Sequence, residues 1–123
     1  MWSIWIDYRA FLGYELRDNP NMSDETLLAA EDVRSNRLPQ ATAIIAHLKG
    51  AGHLVADVPL LVGGDWNTPS HLDWTKDTAS IYKQRRDLAL PVSTAMHDAG
   101  FMDTFRRVHP NPVQHPGITW SPM

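Results

Sequence analysis

The hydrophobic positions of this chain change their spacing from one segment to the next, and each spacing predicts a different element. Residues 2–7, Trp-Ser-Ile-Trp-Ile-Asp, alternate and read as a strand that begins almost at the first residue. The period is then lost: Arg9, Arg17, Asp18, Asn19, Pro20 and Asn21 mark residues 8–22 as an exposed loop with solvated or locally paired charges. Ser23 is a helix N-cap, with Asp24 and Glu25 in a first turn where acidic side chains complement the helix dipole. Leu27, Leu28, Ala30 and Val33 give that helix an imperfect apolar side, which breaks at Ser35-Asn36. A second helix restarts with Asn36 as cap and Pro39 in its first turn, where the missing N–H does little harm. Leu38, Thr42, Ile45 and Leu48 recur on one helical face, which is predicted to pack on a sheet. Gly50 and Gly52 end the helix before His53.

Residues 58–62, Val-Pro-Leu-Leu-Val, do not alternate, which predicts a strand covered on both faces. With the strand and helix before it, this makes an α/β unit. The strand stops at a polar cluster. Gly63 and Gly64 permit a tight turn or a close approach to a ligand, and Asp65 and Asn67 flank Trp66 at a spacing that puts both side chains on one side of an extended segment. Asp65 can orient or deprotonate a water or hold a hard cation, and the Asn67 amide can donate to a phosphoryl oxygen. The same residues also suit an ordinary strand exit, in which Asp and Asn bond their own backbone.

Beyond the cluster, His71, Asp73 and Trp74 are predicted to line the rim of a cleft, His71 as a proton shuttle, a phosphate ligand or a turn residue. Residues 76–87 are polar, and Lys83-Gln84-Arg85-Arg86 is their dense basic run, read as a solvated face. Pro91 and Ser93 introduce a short helix to about Ala99, with Gly100 beyond its end. A proline-punctuated loop spans residues 108–117, and Ile118-Thr119-Trp120 begins a final strand. His47 and His53 read as helix-surface and loop residues.

Composition narrows the picture without choosing a function. At 123 residues and 43% hydrophobic content, the chain suits one modest domain. It has no cysteine, hence no disulfide and no thiolate chemistry. No apolar run reaches membrane-spanning length, and the start carries no basic leader. A net charge of −3 provides no broad basic surface for indiscriminate binding to long nucleic acid. Zinc-helix histidine spacing, a phosphate loop of the GxxxxGK type and a nucleophile elbow are all missing.

The string Gly64-Asp65-Trp66-Asn67-Thr68-Pro69 after an apolar strand resembles the GD(F/W)N motif of the endonuclease/exonuclease/phosphatase superfamily, with its deoxyribonuclease-like fold. Ser70-His71-Leu72-Asp73-Trp74-Thr75 is similar to an SHLDWT extension in some members, and Asp103-Thr104-Phe105-Arg106, His109-Pro110 and Thr119-Trp120 follow in the family's order. The resemblance implies an α/β chain forming part of a four-layer sandwich, with residues 1–123 as a single partial domain. It implies a divalent-metal-dependent phosphoesterase using Mg²⁺ or Mn²⁺. Asp65 and Asn67 would be both catalytic and metal-binding, with His71, Arg106 and Trp120 on the substrate. The substrate would be a phosphate ester, whether nucleic acid, phospholipid head group or small molecule. Trp5, in Trp5-Ile6-Asp7-Tyr8, stands where many members carry an active-site His. The family's metal-binding Glu and its SDH-type end would fall before Met1 and after Met123, and Glu15, Glu25 and Glu31 lack the strand context to replace that Glu. These absences lead to two expectations: weak or no activity of the chain alone, and self-association through unpaired sheet edges. The rival is a non-catalytic fragment or binding remnant of the same fold.

Overall fold

A computed structural model describes residues 1–82 and 86–119 of the chain. Strand β1 (Trp2–Trp5) is followed by helices α1 (Leu12–Asp18), α2 (Asp24–Ala29) and α3 (Arg37–Gly50), then by strand β2 (Val62–Asp65). Helices α4 (Lys76–Ile81), α5 (Pro91–Asp98) and α6 (Thr104–Val108) complete the described elements, with short 3₁₀ turns at His53–Val55 and His71–Asp73. The strands lie parallel, with Trp2 opposite Val62 and Trp5 opposite Asp65. A parallel pair needs a long crossover, and α3 lies within it. The Ile4–Gly64 step is so close that a Cβ on Gly64 would overlap the Ile4 carbonyl. Gly64 therefore serves the approach of one strand to the other.

This architecture corrects the expected four-layer sandwich. The described residues are 45% helix and 7% strand, with one two-stranded sheet. The segment meant as a doubly covered strand is largely open: Val58 is 74% exposed and Leu61 is 55% exposed. Pro59 has no N–H for a ladder, so pairing starts only at Val62. Ile118 and Thr119 are not in a strand, and Trp120 lies outside the described residues, as do Lys83, Gln84 and Arg85 of the basic run.

Three helices arise where sequence periodicity is too short to register. In α1, Leu12 and Leu16 are one turn apart and bury against Leu27, Trp74, Leu88 and Leu90. Helix α4 begins with a reciprocal Thr75–Thr78 capping box, and α6 with Asp103 accepting the Arg106 N–H at 2.9 Å. In α3 the buried face is Arg37, Ala41 and Leu48, with Ile44 half-buried, whereas Thr42 is exposed. The expected stripe is shifted because a small residue and a charged one do the inward work. Ile6, Ala41 and Val92 form the second core, with Ile4, Leu38, Ile44 and Trp66 packed against it.

Candidate functional site

The carboxyl end of the parallel pair is built from two loops. Asp65 is the last residue of β2 and is exposed. Its Oδ1 accepts the Asn67 backbone N–H at 3.1 Å, closing an Asx turn. Asn67 sits at a left-handed φ of 49°, a region Asn tolerates better than most residues, and its Nδ2 donates to the Ile6 carbonyl at 2.8 Å. That bond joins the β2 exit to the β1 exit. It occupies one Nδ2 hydrogen and leaves the other, with Oδ1, for a ligand.

On the β1 side, Asp7 accepts hydrogen bonds from the Arg9 side chain and from the backbone N–H groups of Arg9 and Asn36, at 2.5–3.1 Å. The Arg9 guanidinium holds the Asp7 carboxyl well below the usual carboxylate range. Asp7 thus stays ionised while anchoring the start of α3, and its own N–H donates to Gln40 Oε1 at 2.8 Å.

The other expected substrate-side residues are placed elsewhere. A cleft of about 850 Å³ runs between residues 53–62 and α5 with the loop after it, and its lining includes Trp66 and residues 68–72 but neither Asp65 nor Asn67. His71 lies in this cleft, its backbone N–H donating to Ser93 Oγ at 2.8 Å, with Nδ1 3.0 Å from the same oxygen. Burial, followed by the nearby His97, lowers the His71 pKa, so the ring is biased to its neutral form. Arg106 is buried: it forms an ion pair with Asp73 at 2.6 Å and donates to the carbonyls of His109 at 2.8 Å and His115 at 2.7 Å. Trp74 is a core residue at 7% exposure.

Sequence reasoning missed Glu31 and Arg37, both fully buried. Glu31 accepts hydrogen bonds from the Thr68 hydroxyl and, at 2.9 Å, from the Val92 N–H. Arg37 donates to the carbonyls of Asp7, Arg9, Ala10 and Ala30. The available signal was their place at the broken junction between two helices, where unpaired backbone groups need partners.

For a divalent ion, Asp65 and Asn67 supply one free carboxylate oxygen and one amide oxygen. Among the described residues no group of three or more His, Cys, Asp or Glu side chains is placed to hold a metal. Two such oxygens alone suit only an ion that keeps most of its waters, as Mg²⁺ does.

No protein-family model matches the chain, and no solved structure matches it. It is similar to a Caenorhabditis elegans protein, "Uncharacterized protein F14F9.5", with 36% identity over 122 residues, or 98% of this chain. The chain spans 38% of that relative's length. No helix among the described residues is long and apolar enough to cross a membrane.

Proposed function

We propose that the chain contributes one side of a divalent-metal-dependent phosphoesterase site of the endonuclease/exonuclease/phosphatase type, centred on Asp65 and Asn67. The observation that carries this reading is the Asx turn at the carboxyl end of β2, in which the Asn67 amide is pinned by Ile6 while Asp65 remains exposed. Ligands of open α/β sheets bind outside the carboxyl ends of the strands, and a pinned amide is a preorganised donor. Asp65 would orient the attacking water and accept its proton, and the second Asn67 N–H would meet a phosphoryl oxygen. Mg²⁺ or Mn²⁺, held by Asp65 and Asn67, would supply charge neutralisation at the phosphate. The substrate is a phosphate ester.

The specific observation favouring the rival, a non-catalytic binding remnant, is the incomplete ligand set: two oxygen donors, an Arg106 engaged within its own chain, and an exposed Trp5 at the position of the family's His. Both readings include self-association, because among the described residues each strand has one unpaired edge, and Trp5 is 75% exposed. Turnover of an aryl phosphodiester and of DNA with Mg²⁺ or Mn²⁺ separates the two. Weak turnover lost in Asp65→Ala supports the esterase. Turnover unchanged by that substitution overturns the assignment, and no turnover with no Mn²⁺ broadening of the Asp65 and Asn67 amide signals leaves the remnant.

A further inference from the structure

Each loop at the carboxyl end of the sheet is held from behind by a buried charge on the junction between α2 and α3. Glu31 reaches the β2 loop through the hydroxyl of Thr68, the residue after Asn67, and ties it to the first turn of α5 through the Val92 N–H. Arg37 reaches the β1 loop through the carbonyls of Asp7, Arg9 and Ala10, and closes back on Ala30. Among the described residues the only non-glycine positions with positive φ are Ala10 and Asn67, one in each loop and both at 49°. Such a backbone persists only when its surroundings over-determine it. Burying two charges costs desolvation that apolar side chains of similar volume would avoid, so packing alone does not account for them. What these charges supply, and apolar groups would not, is directional bonding to the two loops.

We infer that Glu31 and Arg37 are positioning residues for the Asp65–Asn67 site, Glu31 fixing the loop that carries Asn67 and Arg37 fixing the facing loop of Asp7 and Arg9. The inference rests on the phosphoesterase reading for what the site does. Neither side chain touches the candidate ligand position; each acts through a backbone segment.

Amide hydrogen exchange on the full ¹⁵N-labelled chain tests this. Thr68→Val removes the donor to Glu31 at nearly constant volume. It is expected to speed exchange at Asn67 by about tenfold or more, the scale of a hydrogen bond to a charged group, while Ile44 and Leu48 inside α3 stay unchanged. Glu31→Gln keeps one acceptor oxygen and Glu31→Ala keeps none, so Val92 exchange should rise in that order, the conservative variant rescuing part of the loss. Equal acceleration at Asn67, Ile44 and Leu48 in Thr68→Val would show a general loss of stability and overturn the inference. Mn²⁺ titration supplies the second readout. Broadening of Asp65 and Asn67 in the wild type, with affinity falling severalfold in Thr68→Val, supports positioning. Unchanged Mn²⁺ affinity despite faster Asn67 exchange overturns it. No broadening in the wild type overturns the phosphoesterase reading instead, while the exchange pattern still decides whether Glu31 holds the loop.

Discussion

Two regions of this molecule bury an arginine, and they balance its charge in different ways. Arg106 sits against Asp73 in a direct ion pair and closes the 109–117 loop by donating to two of its carbonyls. Gly117 completes that bracket, since a Cβ there would lie 2.7 Å from Asp73 Oδ2 and 2.8 Å from Arg106 Nη2. Arg37 instead directs its donors to backbone carbonyls, and the buried Glu31 is bonded to Thr68 and Val92. Burial accordingly pushes Glu31 up and Arg37 down from their usual pKa values, although each charge favours the other. The contrast teaches that a direct ion pair serves a single loop closure, whereas two separated charges can each hold a different loop. The candidate site faces the second kind.

The largest expected effect comes from Arg37→Met, which removes the donor to the buried Ala30 carbonyl and to the part-buried carbonyls of Asp7, Arg9 and Ala10, and leaves Glu31 without a compensating charge. Urea unfolding should show a loss of about 3–5 kcal/mol. Arg106→Met should cost less, about 2–3 kcal/mol, because the 109–117 loop can swing aside and admit water to Asp73. Double-mutant cycles sharpen the point: coupling between Asp73→Leu and Arg106→Met should exceed that between Glu31→Gln and Arg37→Met. Equal couplings would erase the distinction.

The pH dependence separates the two carboxylates of the site region. Burial raises the folded pKa of Glu31 above its ordinary value of 4.5, so the stability it contributes is present below about 4.5 and is lost as pH rises through its folded value. The wild type's stability relative to Glu31→Gln should therefore fall with rising pH across that window. Asp7 runs the other way. Its pKa is lowered, chiefly by the Arg9 side chain, so its contribution is present above its ordinary value of 3.8 and is lost as pH falls below it. The advantage of the wild type over Asp7→Asn should shrink on acidification, as read from thermal melts at each pH. Matching pH trends in the two variants would contradict the assigned environments.

Asp65→Ala should have the smallest effect on stability, within about 0.5 kcal/mol, because the side chain is exposed and its one intramolecular bond is local. A larger change in melting midpoint would mean that Asp65 supports the fold, leaving little to distinguish it from an ordinary strand exit.

Local chemistry was legible in the sequence alone. Ser23 caps α2 by accepting the Thr26 N–H, Pro91 opens α5, and Gly52 and Gly100 take the left-handed angles expected after helix ends. The strand expected over residues 2–7, which forms over Trp2–Trp5, the restart of α3 after Asn36 and the position of Asp65 at a strand end follow from the same signals. These features depend on neighbours within a few residues, so spacing and residue type suffice. Tertiary structure decided the rest. An apolar run at 58–61 did not become a covered strand, because coverage needs a partner surface that a local pattern does not contain. The inward face of α3 runs through Arg37 and Ala41, residues that a hydrophobic count passes over. His71 and Asp65, six residues apart, open to different surroundings because Asn67 turns the chain between them. Nothing local marks Glu31 and Arg37 as buried, because distant carbonyls, a hydroxyl and a helix N–H close around them only in the folded chain. Such partners come from up to 61 residues away, and only the folded chain brings them together.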